Sequence, residues 1–262
     1  MRKIKIGLVI LGSLALVGLI LSGAIYAQAV NPLQGKLIAL DAGHGGDEVG
    51  AQYPANSGTS TTIYEKDVNL AVVYALKTKL EADNNSDGQP DNQVVLTRKC
   101  DETISSRKSR VDMAIEECKS LYGRKCDALI SVHHNGSTDA THDGTMVIYN
   151  EKQDKPLATA LHDALISALG LTDEGYDHGG YGMTVYGHLV SALTEAYYIT
   201  NTDEANYYLL GISTPISSYD TSSTCSYEVH FGGDRINQEA DALYQGLLNY
   251  FSAPSTKPGG RK

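Results

Sequence analysis

Short apolar runs in this 262-residue chain alternate with stretches whose apolar residues recur at helical spacing, and that alternation constrains the fold more than any other feature. The runs at 36–41, 94–97, 129–132, 146–149 and 190–199 have strand character. Between them, 65–81 places Val68, Val72, Ala75, Leu76 and Leu80 on one helical face, and 105–121 does the same with Val111, Ala114, Ile115 and Cys118. Residues 157–169 read as a third helix, ended by Gly170, and 235–251 as a closing one. Alternation of this kind predicts a single α/β domain, a mostly parallel twisted sheet with helices on both faces.

The N-terminus carries a different signal. Arg2, Lys3 and Lys5 precede a charge-free run from Ile6 to Gly35, whose apolar part is about as long as a helix needs to cross hydrocarbon. The basic flank predicts that the rest of the chain is exported. Ala27-Gln28-Ala29 has the small residues of a signal-peptidase site. Residues 1–29 therefore read as a signal peptide or an N-terminal membrane anchor, 30–35 as a linker, 36–251 as the folded domain and 252–262 as a disordered Pro-, Gly- and Lys-rich tail. Either reading places the domain outside the cytoplasm: secreted, periplasmic or cell-wall associated. There Cys100, Cys118, Cys126 and Cys225 can form disulfides, in any of three pairings. The net charge is −10, from 31 acidic and 21 basic residues, which argues against a nucleic-acid partner.

Where the strands run out into loops, the sequence offers chemistry. Asp41-Ala42-Gly43-His44-Gly45-Gly46 follows the first strand, Ser131-Val132-His133-His134-Asn135 follows the third, and Glu65 opens the first long helix. Two imidazoles and a carboxylate with a fourth position open form the shell of a catalytic zinc. Taken singly, each residue has an ordinary reading. A histidine after a strand is often a hydrogen-bonded loop residue, and a glutamate favours a helix N-terminus. A fourth segment, Leu193-Thr194-Glu195-Ala196-Tyr197-Tyr198-Ile199-Thr200-Asn201, puts a carboxylate in an apolar strand, where it needs a partner or a task.

In this order the four segments resemble the zinc-dependent N-acetylmuramoyl-L-alanine amidases. That family carries a D-x-G-H-G-G loop, a Glu-Lys-Asp helix start, an S-[IV]-H-x-N segment and a late Glu before an aromatic stretch and an Asn. Val95-Leu96-Thr97-Arg98 with Arg107 and Arg110, and Gly144-Thr145-Met146-Val147, extend the match. The resemblance implies a phosphorylase/hydrolase-like fold and zinc on His44, Glu65 and His133, with Glu195 as catalytic acid/base. It implies hydrolysis of the amide between N-acetylmuramic acid and L-alanine, peptidoglycan as partner, and contact with a membrane only through an uncleaved N-terminal segment. His134 stands where the family varies, so the metal is assigned to His133 and His134 to a place behind the metal or facing substrate. Leu-Thr-Glu-Ala-Tyr-Tyr replaces the family's usual Leu-Val-Glu-Xaa-Gly-Phe, and Gly187-His188-Leu189 stands where a Pro is common; both bear on pocket shape. Two competing readings remain: a zinc carboxypeptidase-like enzyme, with Arg98, Arg107 or Arg110 clamping a terminal carboxylate, and a non-catalytic wall-binding domain.

Other features carry less. The segment 83–91 has oxygen side chains at Asp83, Asn85, Asp87 and Asp91 in the spacing of a calcium loop. Val94 stands where the bidentate glutamate belongs, which favours a turn over calcium. His162, on an amphipathic helix, reads as solvated. His178 and His188 flank Gly179-Gly180-Tyr181-Gly182, a segment suited to lining a cleft. His142 and His230 have no assigned role, and 212–233, with Cys225, reads as an insertion before the last helix.

Overall fold

The computed structural model describes residues 31–55, 63–82, 89–180, 182–209 and 234–254. The N-terminal run, the insertion at 212–233 and most of the tail lie outside the described residues. Among the described residues no helix is long and apolar enough to cross a membrane. In chain order the elements are β1 (Leu37–Ala42), β2 (Gln52–Tyr53), β3 (Ile63–Tyr64), α1 (Glu65–Leu80), β4 (Gln93–Leu96), α2 (Arg107–Tyr122), β5 (Ala128–Asn135) and β6 (Thr145–Tyr149). There follow α3 (Lys155–Leu169), β7 (Asp173–His178), a short 3-10 helix (Gly182–Val185), β8 (Ser191–Tyr198), α4 (Thr202–Leu209) and α5 (Asp234–Ser252).

Six strands form one sheet in the order β4-β1-β5-β8-β6-β7, and β2 and β3 make a separate hairpin. The pairs β1–β4, β1–β5, β5–β8 and β6–β7 are parallel, and β6 runs antiparallel to β8. The sheet is thus mostly parallel, as the alternation predicts. β1 is buried along its whole length, and its residues divide by parity. Ile38, Leu40 and Ala42 join the core under α1, α3 and α5, while Leu37 and Ala39 pack with Val111, Ala114 and Cys118 of α2 on the opposite face. Burying a Leu or Ile side chain is worth about 1.5–3 kcal/mol, so a strand covered on both sides holds the layers together. The helix ends follow local chemistry: the Ser106 hydroxyl accepts the Ser109 N–H and caps α2, and Gly170 ends α3 at φ 68°.

Three departures from the sequence expectations have clear causes. β7 (DEGYDH) is polar and only partly buried because it is the sheet's edge, where apolar alternation is not required. His162 is not solvated: it lies on the buried stripe of α3 with Ala158 and Leu165, and it bonds Asp173 through Nε2 at 2.9 Å. Periodicity does not mark α4, yet Asn201 caps it, with Oδ1 accepting the N–H groups of Asp203 and Glu204. Cys118 and Cys126 form a disulfide that joins the end of α2 to the segment leading into β5, while Cys225 lies outside the described residues.

One buried ion pair ties α2 to the sheet. Asp41 is fully buried and accepts hydrogen bonds from Arg110 (2.9 Å), Ser131 (2.7 Å) and the Thr97 hydroxyl. Burial alone would raise its carboxyl, but Arg110 and the two hydroxyls more than offset that and hold it below the ordinary aspartate value. A depressed folded-state value contributes stability that is present above the unfolded value, near pH 4, and is lost as pH falls through the lower one. Arg110→Met should therefore cost about 3 kcal/mol in urea melts at pH 7, with the gap to the parent narrowing below about pH 4.

Candidate metal centre

The site lies outside the carboxyl ends of β1 and β5, whose flanking helices α1 and α2 cover opposite faces, the position where α/β sheets open a crevice. β1 delivers the chain into Gly43-His44-Gly45. His44 adopts φ 60°, the left-handed region that histidine tolerates better than most residues, and Arg110 holds its carbonyl. The turn swings the imidazole back toward the start of α1.

Glu65 is the first residue of α1, and the β2–β3 hairpin sets it there. The pairing of Gln52 with Tyr64 brings Ala51 alongside, whose carbonyl accepts the Glu65 N–H at 2.9 Å and whose N–H donates to Oε2 at 2.8 Å. Oε1 accepts from the His134 N–H at 3.2 Å and from Asn69 Nδ2, one helical turn on, at 3.3 Å. His44 Nε2 stands 3.1 Å from Oε2, and His133 Nδ1 stands 3.0 Å from Oε1.

Donor atoms of His44, Glu65 and His133 all lie within 4.8 Å of one another. The backbone is shaped around them. A Cβ on Gly43 would meet the His133 ring at 2.3 Å, and one on Gly50 would meet Glu65 Oε2 at 2.3 Å and His44 Cδ2 at 2.7 Å. Two imidazole nitrogens and a carboxylate oxygen, converging on one point, are a donor set that suits zinc.

Glu195 completes the arrangement. It sits on β8 in register with His133 on one side and Met146 on the other. It borders the cleft, yet its Oε2 is buried without a hydrogen-bond partner among the described residues. Burial and then the charge of Glu65 push its carboxyl well above the ordinary glutamate value. Glu65 moves the other way. Burial would raise it too, but hydrogen bonds to His133 and His44 keep it well below the usual range. Two carboxylates driven apart in this way are suited to two tasks, one permanently charged and one able to carry a proton.

The cleft has a volume of about 720 Å³. His44, His133 and Glu195 line it with Met146, Met183 and Tyr186, and Glu48, Asp177 and Arg107 add charge. Gly182 of the glycine–tyrosine segment also borders it, whereas Tyr181 lies outside the described residues. His178 and His188 are absent from the lining; they bond the Asn150 carbonyl and Glu151. His142 pairs with Glu174, and His230 lies outside the described residues. Of the calcium-spaced residues, only Asp91 is described, and it is buried. His134 points away from the cleft into the core, which excludes the substrate-facing alternative. Arg98 is buried against the carbonyls of Ala42, Gly43, Cys100 and Lys66.

Sequence reasoning leaves Asp41, Asn69 and Glu239 without roles. Asp41 has a readable signal, a charge inside an apolar strand, the same argument that singles out Glu195. Glu239 lies on the apolar stripe of α5, between Ile236 and Leu243, which likewise marks a buried charge.

A family model described as N-acetylmuramoyl-L-alanine amidase matches residues 38–209. The chain belongs to this amidase family. It is 29% identical over 183 residues to the N-acetylmuramoyl-L-alanine amidase LytC of Bacillus subtilis, covering 68% of this chain and 32% of LytC. To the probable cell wall amidase LytH of Staphylococcus aureus it is 32% identical over 176 residues, covering 66% of this chain and 52% of that protein. The chain thus spans about half or less of these two amidases' lengths. The catalytic domain of CwlV, an amidase from Paenibacillus polymyxa, superposes with a TM-score of 0.61 at 24% identity, covering 84% of this chain and 99% of that domain. That likeness shows the fold.

The glycine cradle gives a direct test. Gly50 holds φ 72°, so Gly50→Ala adds both backbone strain and a clash with Glu65. The variant should bind metal at least about tenfold more weakly than the parent in chelator competition.

Proposed function

We propose that this chain is a zinc-dependent amidase that cleaves the bond between the lactyl group of N-acetylmuramic acid and the L-alanine of the peptidoglycan stem peptide. The observation that carries the reading is Glu195: a carboxylate with an unpartnered buried oxygen, held in register beside His133 at the edge of the cleft. Membership of the amidase family supports the bond assignment. Residues 1–29, read as an export signal or anchor, would bring the domain to an extracytoplasmic substrate.

His44, Glu65 and His133 would hold the metal. Bound there, zinc supplies a Lewis acid that activates water and stabilises negative charge on the scissile carbonyl. Glu65, fixed by the Ala51 and His134 N–H groups, keeps its charge and its orientation through the cycle. Glu195 accepts the proton of the attacking water and delivers it to the departing alanine nitrogen. Its raised carboxyl makes it the stronger base for the first transfer and keeps the proton on it until the nitrogen departs.

The peptidase alternative needs a guanidinium free to clamp a terminal carboxylate. Arg98 and Arg110 are taken up by backbone carbonyls and Asp41, which leaves Arg107, exposed at the cleft rim with no hydrogen bond or ion pair among the described residues. One rim arginine is compatible with either substrate, so the products decide. Purified peptidoglycan incubated with the zinc-loaded protein should yield new L-alanine amino ends. Release of C-terminal residues from free peptides without such ends would establish the peptidase instead.

Glu195→Gln should lower kcat about 10²- to 10⁴-fold while leaving bound zinc in place. The same substitution should stabilise the metal-free protein at pH 7. A group whose folded value is raised above its unfolded one destabilises the fold when ionised, so the gain should shrink as pH falls toward about 4. Melting curves of the metal-free parent and variant across that range read the effect.

A further inference from the structure

Behind the metal centre, a hydrogen-bonded chain runs from Glu65 into α5, beyond the segment matched by the family model. His134 and Glu239 form its far end, and the side chains of both are wholly shielded from water. His134 Nε2 lies 2.9 Å from Glu239 Oε2, and Nδ1 lies 2.6 Å from Asn69 Oδ1. Asn69 Nδ2 donates to the Gly43 carbonyl at 3.1 Å and to Glu65 Oε1 at 3.3 Å.

The donors can be assigned. Because Asn69 uses its NH₂ on two oxygens, its carbonyl oxygen faces His134, and Nδ1 must carry the hydrogen. That leaves Nε2 facing Glu239 Oε2. Tyr197 packs on the His134 ring at 4.4 Å between centroids and prevents it from turning. The second carboxylate oxygen of Glu239 has no partner among the described residues, an unfavourable state in a buried site. Holding α5 to the sheet does not require it, since Ile236, Ala240, Leu243 and Leu247 already bury an apolar stripe there.

We propose that Glu239 is a positioning residue for the metal centre. Through His134 and Asn69 it fixes the rotamer of the Glu65 carboxylate, and so determines how tightly the metal is held. The proposal rests on the reading that His44, Glu65 and His133 bind zinc. Metal ligands are commonly oriented by hydrogen-bonded groups behind them, and losing such a group weakens metal binding about 10- to 100-fold.

The test must separate orientation from simple stability. Replacing a buried charged pair by apolar residues of similar volume is often neutral or stabilising. His134→Leu/Glu239→Met should therefore fold, with a metal-free melting temperature near the parent's. Zinc affinity, measured by competition with a chromophoric chelator on the exported protein, should nonetheless fall about 10- to 100-fold. Glu239→Gln, which can still bond Nε2, should restore affinity to within about threefold of the parent and serves as the folded control if the double variant does not fold. In that case Glu239→Met alone takes its place against Glu239→Gln. Unchanged zinc affinity in whichever apolar variant folds would overturn the proposal and leave the pair as a tether for α5. Failure of the parent itself to bind zinc would instead refute the metal reading on which it rests.

Discussion

The buried carboxylate of Glu65 is the constraint around which this molecule is arranged. Placing a charge in the interior costs several kcal/mol unless it is fully bonded. Here both oxygens are occupied by two backbone N–H groups, an amide and two imidazoles. These partners come from four parts of the chain: the loop before β2, the end of β1, the end of β5 and the first turns of α1. The charge can be buried only if all of these arrive together, so the candidate metal site and the fold specify each other. The two glycines whose Cβ atoms would strike the ligands are part of the same condition.

A second carboxylate, Glu195, lives under the opposite condition. It shares the neighbourhood of Glu65 but has no donor for Oε2 among the described residues, and burial together with the nearby charge pushes its carboxyl upward. One acid is thus committed to charge and the other is suited to taking up and releasing a proton, the division of labour that the proposed amide hydrolysis would use. The strand register that pairs His133 with Glu195 maintains that separation, since a slip of one residue would turn Glu195 to the other face of the sheet.

Much of this is legible in the chain. The strand and helix periods reveal the layers, because β1 and β5 are buried on both faces and read as unbroken apolar runs. Glu195 is visible as a carboxylate in an apolar strand, whereas His44, His133 and Glu65, ordinary one by one, are legible as members of the four-segment pattern. What escapes the sequence depends on partners distant in it. His162 misleads because a histidine on an amphipathic helix looks the same whether an edge strand covers it or water does, and β7 is itself too polar to recognise. Glu239 stays hidden because its partner, His134, lies 105 residues away, and the His134 side chain reaches Glu65 through Asn69. Pattern separates His134 from His133, but the burial of His134 comes from α5.

The central claim is that His44, Glu65 and His133 converge on one zinc ion. Anomalous diffraction from crystals of the protein, recorded on either side of the zinc absorption edge, tests it most directly. A single peak is expected about 2.0–2.2 Å from His44 Nε2, His133 Nδ1 and a Glu65 oxygen, with Glu195 beyond bonding range. A peak held by other residues, or crystals grown with zinc that show none at this cluster, would contradict the account.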